Sequence, residues 1–349
     1  MQDLITGIQQ CGIGTNNAHE AALYYKDLFG LDALVFDDTA EASLMKAYTG
    51  NRIYKRRALL TMNMQGGGGF ELWQFINREA TAAATPIRFG DIGIFAIKIK
   101  CPDVVAAFRY FLAKEMVSVS PLQTNAAGEY HFWLTDKYGH VFNMVKANEL
   151  FSDNHKICAG VCGAVIGVSN MQQSLHFYKE FLGIENERYN IHQTDIGPVS
   201  YSAEDFHCVL LQKNAAVSGP FSCLLGDIQI ELVQAKNYKG NKIYTNRFWG
   251  DLGFIHLCFD VLDLCSLKTK ATDLQYSFTV DSKSSFVMER AGGRFCYVED
   301  PDNTLIELVE TYTVPILKKA GWYLNLKKRK HQKPLPAWMI KTMGLTKVK

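Results

Sequence analysis

One pattern recurs four times along this chain, and a repeat of that size fixes the architecture before any single element is read. Each copy opens with an apolar strand, continues with a short helix and closes with several strands. The first opens over residues 8–15. Its helix over 18–29 carries Leu23, Tyr24 and Leu28 and stops at Gly30, a residue suited to the left-handed end of a helix. Its later strands fall near 57–64 and 70–75. The second copy opens at 93–97, has a helix over 103–114 and closes over 138–145. The third opens at 163–168, has a helix over 172–182 ended by Gly183, and closes over 226–233. The fourth opens over 253–261 and closes over 300–310. A polar, irregular stretch, 146–156, separates the two pairs. The expected class is therefore α+β, with four βαβββ modules in two domains, 1–150 and 157–315, and an extension over 316–349.

The opening strand of the fourth copy, GFIHLCFDV, is the most informative. Side chains alternate on a strand, so Ile255, Leu257, Phe259 and Val261 form one row, and Phe254, His256, Cys258 and Asp260 the other. The second row carries an imidazole and a carboxylate where packing needs neither. The closing strand places Glu307 between Ile306 and Leu308, just after the turn sequence Asp300-Pro301-Asp302-Asn303. A buried carboxylate needs a cation or several donors, and a histidine on a neighbouring strand points to a metal.

Composition excludes several classes. With 349 residues, 48% hydrophobic and 21% charged, the chain can bury a large core, which argues against disorder. Nine cysteines without a CxxC pair argue against a zinc ribbon or a disulfide framework and for reduced thiols in a cytoplasm. The start, MQDLITGIQQ, lacks the features of an export signal, and no apolar run approaches the roughly 18 residues of a membrane helix. The net charge of +2 is uneven: from Lys318 to Lys349 there are ten Lys or Arg and no acid, leaving the preceding residues at −8. Such a tail is open to an acidic partner. Pro334 and Pro336 interrupt it, which favours a solvated helix packed through Trp322, Tyr323, Leu324, Trp338 and Met339 over a nucleic-acid or lipid site.

The phrases YYKDLFG at 24–30, FYKEFLG at 177–183 and DPDNTLIEL at 300–308 resemble the vicinal-oxygen-chelate superfamily, which includes glyoxalase I, bleomycin-resistance proteins and extradiol dioxygenases. The resemblance covers roughly 5–312. It implies that each module offers a metal ligand from its first strand and another from its last, and that two modules close a cup around one ion. The implied positions are Gln10 and Glu71, Ile94 and Asn143, Gly163 and Glu231, and His256 and Glu307. Consecutive pairing would collect Glu231, His256 and Glu307 in one cup and leave Gln10 and Glu71 in the other. Crossed pairing would collect Gln10, Glu71, His256 and Glu307, leaving Glu231 and Asn143. The crossed set is preferred on parsimony of ligands and resembles that of glyoxalase I.

That set implies one divalent ion, of Zn, Ni, Co, Mn, Fe or Mg, with two positions open to a small-molecule substrate. The implied reaction is that of a lyase or isomerase passing through a metal-chelated enediolate, with Glu307, or else Glu71, dissociating to take the carbon-bound proton. The places where glyoxalase I grips glutathione hold Gly14, Phe75 and Leu252 here, so the expected substrate is not glutathione. The expected pocket lining is Trp73, Phe75, Trp249, Phe254 and Tyr297, suited to a more apolar ligand. Two alternatives stand: an Fe(II) extradiol-type dioxygenase, against which Gly163 stands where a histidine is needed, and a non-catalytic binding protein of the bleomycin-resistance kind. The run Gly66–Gly69 lacks the Lys-Ser/Thr of a phosphate loop and is expected to be a hairpin.

Overall fold

The structure is a computed structural model that describes residues 4–194, 197–198, 204–283, 286–288, 291–317, 322–327 and 333–349. The four strand-helix-strand units follow the order read from the sequence. In the first, strand Ile5–Gly14 passes into helix Ala18–Phe29 through Asn17, whose side chain accepts from the Glu20 N–H; Gly30 ends the helix at φ 70°. Strands Ala33–Glu41, Lys55–Met62 and Gly69–Phe75 complete the unit. The other units use the same chemistry: Asp103 caps Val104–Leu112, Asn170 caps the helix that begins at Met171, and Asp263 caps Leu264–Asp273. The closing strand of the second unit starts at Val141 and not at 138. Asp136 accepts from the N–H groups of Tyr138 and His140, holding the preceding residues in a turn with Gly139 at φ 82°.

The strands form two curled mixed sheets, and these cross the order of the chain. One sheet runs from Phe278–Asp281 through Ala291–Glu299, Leu305–Leu317, Gly253–Val261, Ile5–Gly14, Gly69–Phe75 and Lys55–Met62 to Ala33–Glu41. It thus joins the first unit to the fourth. The other runs from Asn186–Thr194 through Asp205–Lys213, Ile228–Ala235, Val161–Gly167, Gly93–Cys101, Val141–Lys146 and Tyr130–Thr135 to Ser118–Val119, joining the second unit to the third. Each sheet takes one unit from either side of residues 147–156, so the cups do not follow the halves 1–150 and 157–315. The seam of the outer-unit sheet is the antiparallel pair of Ile5–Gly14 with Gly253–Val261.

A single apolar core joins both sheets and the helices, from Ile8, Cys11 and Phe70 to Ile97, Phe142, Phe177 and Leu308. The repeated sequence phrases meet inside it. The Tyr25 hydroxyl donates to Asp136 Oδ2 at 2.8 Å, and the Tyr178 hydroxyl to Asp300 Oδ2 at 3.0 Å. In each case a fully buried tyrosine on a helix is tied to the acid that builds the turn before another unit's closing strand. Each bond joins a unit of one sheet to a unit of the other.

The run Gly66–Gly69 does connect two strands, as expected of a hairpin, and it also lies where the two sheets touch. Gly68 and Val161 exchange backbone hydrogen bonds, and a Cβ on Gly67 would stand 2.7 Å from the Gly160 carbonyl carbon. Glycine is required there by the close approach of two backbones. The tail is not a simple solvated helix. Trp322–Asn325 adds a strand beside Leu305–Leu317, and Leu326, Leu335 and Ile340 pack against Ala33, Met62 and Leu224. Trp338 is exposed. Lys318, Lys319, Lys328, Arg329, Lys330 and the Trp322 side chain lie outside the described residues.

Candidate metal centre

The crossed sheet brings together the four residues proposed as a ligand set. Gln10 and Glu71 come from the first unit and His256 and Glu307 from the fourth, and all four are buried. Gln10 Nε2 lies 3.1 Å from Glu71 Oε2 and 3.5 Å from Glu307 Oε2. His256 Nε2 lies 3.1 Å from Glu307 Oε2 and 3.5 Å from Glu71 Oε2. Among the described residues, Glu71, His256 and Glu307 form a cluster of metal-ligating type whose donor atoms all lie within 4.8 Å of one another.

Two bulges aim these side chains. On Ile5–Gly14, Ile8 pairs with Phe259 and Gln10 with the adjacent Cys258, so Gln9 is an extra residue. Gln9 and Gln10 consequently both face the cup: Gln9 Nε2 reaches Asp260 Oδ1 at 3.5 Å and Thr311 Oγ1 at 3.4 Å. Across from them, Gly12 pairs with His256 and Ile13 with Phe254, which leaves Ile255 extra. This breaks the simple alternation expected for the strand. Ile255 packs on the cup side with Trp73, Trp249 and Tyr297, whereas Phe254 turns into the core against Phe142. Gly12 makes room for the imidazole: a Cβ there would stand 2.3 Å from His256 Cε1.

The electrostatics favour a cation. Burial alone would lower the His256 pKa, but the Glu307 and Glu71 carboxylates outweigh it and push it up to about 9. Even a charged imidazole leaves one of two buried carboxylates without a counter-charge in the cluster, and a divalent ion beside a neutral imidazole would balance both. The donor set is the informative part. His256 Nε2 faces both carboxylates, and Gln10 Oε1 is buried without a hydrogen-bond partner among the described residues while its Nε2 meets the carboxylates. An ion would take the imidazole lone pair and the carboxylate oxygens, and the Gln10 amide turned over would add its Oε1, so the residues fit one. His256 Nδ1 is held 3.3 Å from the Tyr297 hydroxyl, which orients the ring from behind. Glu71 is fixed by the Trp73 indole N–H, which donates to its Oε2 at 2.8 Å. Glu307 has no comparable anchor among the hydrogen bonds described.

The centre opens into a cavity of about 220 Å³ lined by Trp73, Trp249 and Tyr297, with Phe36, Met45 and Arg56. Two expected lining residues stand elsewhere. Phe254 is turned into the core by the Ile255 bulge, and Phe75 packs on Tyr54 beneath the Arg78 guanidinium, 4.6 Å from its ring centre. Arg56 was not legible from the sequence as a site residue. It pairs with Asp38 at 2.7 Å and lies over the Trp73 ring.

In the inner-unit cup the register corrects the mapping of the second module. Glu307 pairs with Cys258, two residues past His256, and Glu71 with Gly12, two past Gln10. By the same rule Asn143, which pairs with Lys98, puts Ala96 and not Ile94 at the first-strand position, and Glu231, paired with Val165, puts Gly163 there. Neither side chain can bind a metal, and a Cβ on Gly163 would stand 1.9 Å from the Gln229 carbonyl oxygen. Lys98 fills the centre, with Nζ 2.7 Å from Glu231 Oε2 and 3.1 Å from Asn143 Oδ1. Its one sequence signal was a lysine alternating with Ile97 and Ile99 on an apolar strand, the pattern already read as meaningful for Glu307.

No protein-family model matches this chain, and no curated protein sequence matches it. Solved structures do. A candidate dioxygenase from Bacillus subtilis strain 168 superposes with a TM-score of 0.59 at 14% identity, over 88% of this chain and 86% of that one. Glyoxalase I from Zea mays superposes with a TM-score of 0.51 at 13% identity, over 87% of this chain and 92% of that one; a point mutant of the same maize enzyme gives 0.54 at 12%, over 88% and 94%. No helix among the described residues is long and apolar enough to cross a membrane. Identities this low speak for the fold alone, and on that they agree with the paired units and crossed sheets: this chain has the vicinal-oxygen-chelate fold, similar over most of its length to glyoxalase I from Zea mays.

Proposed function

We propose that this chain is a metal-dependent enzyme of glyoxalase-like chemistry, a lyase or isomerase that moves a carbon-bound proton next to a carbonyl on a small substrate other than a glutathione adduct. The observation that carries the reading is the convergence of His256 Nε2 and the Gln10 amide on two buried carboxylates, Glu71 and Glu307. Gln10, Glu71, His256 and Glu307 would hold the ion. When bound, it supplies Lewis acidity that makes a proton beside a carbonyl easier to remove.

The protein's own part follows from how its groups are held. Glu71 is fixed between the Trp73 indole and the Gln10 amide, so it is the permanent ligand. Glu307 has no indole donor and a longer contact with the Gln10 amide, so it is the less firmly held carboxylate and the one assigned as the base that takes the proton and returns it to the neighbouring carbon. Tyr297 keeps the imidazole in place, and burial, followed by the nearby Glu307 and Glu71 charges, holds the Tyr297 hydroxyl in its protonated form. Trp73 and Trp249, edge to face with ring centres 4.3 Å apart, give the cavity an apolar wall that suits an aromatic or aliphatic substrate body.

Protein purified without chelator is expected to carry one divalent ion per chain by elemental analysis. In deuterated buffer it is expected to exchange the carbon-bound proton of a phenylglyoxal hemithioacetal formed with a small thiol, followed by NMR. Glu307→Gln should retain the ion and lose the exchange. Metal-free protein as isolated, with no uptake on dialysis against Zn, Ni, Co, Mn, Fe or Mg, would leave a non-catalytic binder as the reading. Exchange at the wild-type rate in Glu307→Gln would remove that residue from the base role.

A further inference from the structure

The cup formed by the second and third units contains a cavity of about 290 Å³ that the outer-cup chemistry does not use. Its floor is a closed network whose hydrogen positions follow from the donor inventory. Lys98 can only donate, so the Asn143 atom it meets at 3.1 Å is the carbonyl Oδ1. The Asn143 amide then donates from Nδ2 to His131 Nδ1 at 2.9 Å. His131 Nδ1 is therefore an acceptor, and the proton of the neutral ring sits on Nε2. Burial and the Lys98 charge agree with this, pushing the His131 pKa down to about 4. Glu231 is satisfied on both oxygens, by Lys98 at 2.7 Å and by the Tyr189 hydroxyl at 2.7 Å. The Lys98–Glu231 pair contributes no net charge.

Two donors remain unspent in this network. They are the His131 Nε2–H and the third Lys98 N–H, and both residues line the cavity. No acceptor among the described residues is bonded to either. The walls are the rings of Phe89, Trp133 and Tyr189, with Ile191 beside them. Trp133 is fixed by its indole N–H, which donates to Gln123 Oε1 at 3.1 Å. A buried neutral ion pair that offers donors beneath an aromatic wall is a site built for an uncharged acceptor on a flat body.

We propose that the inner-unit cup is a second, metal-independent binding site, in which Lys98 stands where the outer cup would hold its ion, and that its ligand is an uncharged small molecule presenting a carbonyl oxygen on a one-ring body. The site is independent of the proposed outer-cup reaction and stands if that reaction fails.

The test uses the full chain in excess EDTA, with 4-fluorobenzamide as the probe and fluorine NMR as the readout. Saturable binding of the amide is expected, with fluorobenzene, which lacks the carbonyl, at least about tenfold weaker. Lys98→Met/Glu231→Gln removes the pair together and should weaken amide binding by about tenfold or more. Ala126→Trp, at an exposed lining position, keeps the network and blocks the cavity, so it should also weaken binding and serves if the double variant does not fold. Trp73→Phe in the outer cup should leave binding unchanged. Absence of saturable amide binding, equal binding of fluorobenzene, sensitivity to Trp73→Phe alone, or indifference to Ala126→Trp would each overturn the proposal.

Discussion

Substituting Gly12 by alanine tests the geometry of the centre without removing any ligand. A methyl at that position would lie 2.3, 2.6 and 2.7 Å from His256 Cε1, Nδ1 and Nε2, where ordinary contact begins at 3.4 Å. The imidazole, fully buried, must withdraw by about 1 Å to restore contact. Metal–nitrogen bonds of about 2.0–2.1 Å tolerate errors of about 0.2 Å, so the displaced ring cannot ligate. Metal affinity should fall by about 10–100-fold or more, the range seen when a ligand is merely misoriented. Overpacking should cost about 1–3 kcal/mol in urea unfolding of the metal-free protein. The cost should vanish in a His256→Ala background, where the ring is absent and the methyl fits, giving a strongly non-additive cycle. Wild-type metal affinity in Gly12→Ala, or a stability loss that persists without the imidazole, would refute the reasoning.

Other outcomes follow from the same contacts. In metal-free protein the raised pKa of His256, about 9 against 6.5 for the free side chain, means that protonation stabilises the fold. That contribution should be fully present below about pH 6.5 and lost as pH rises through about 9, by on the order of 3 kcal/mol in urea unfolding across that window; a flat profile would contradict it. Gln10→Ala should weaken metal binding measured by competition with a chelator, while Glu231→Gln should leave metal content unchanged, and the reverse result would place the ion in the other cup. Lys98→Met strands the buried Glu231 carboxylate and should cost about 3–5 kcal/mol in the same unfolding assay. The Lys98→Met/Glu231→Gln variant should recover most of this, and equal losses in both would show that the pair is not what holds that site.

Much of the candidate centre was legible because its residues sit at repeated places in repeated units. Gln10, Glu71, His256 and Glu307 were the set implied by the family resemblance once it was mapped onto the first and last strands of the units, and the structure brings them within contact of one another. The failures share a cause. Phe254 was placed on the wrong face, and the two-glutamine face of Gln9 and Gln10 was not foreseen, because a bulge is made by the partner strand and leaves no mark on its own sequence. Ile94 stood for Ala96 because register between the first and last strands of a unit is set by hydrogen bonding across the sheet, not by spacing from the helix.

What the sequence by itself determined is local: alternation of apolar side chains, helix caps at Asn17, Asp103, Asn170 and Asp263, glycines that end helices, and acids placed on apolar strands. These follow from interactions within a few residues and are written there. Only the tertiary structure decided which units pair, that Lys98 Nζ stands between Glu231 and Asn143 in the inner cup, and that Gly12 leaves the space His256 fills. Those outcomes rest on contacts between residues more than 40 and as many as 302 positions apart, whose free energy exists only once the sheets have closed.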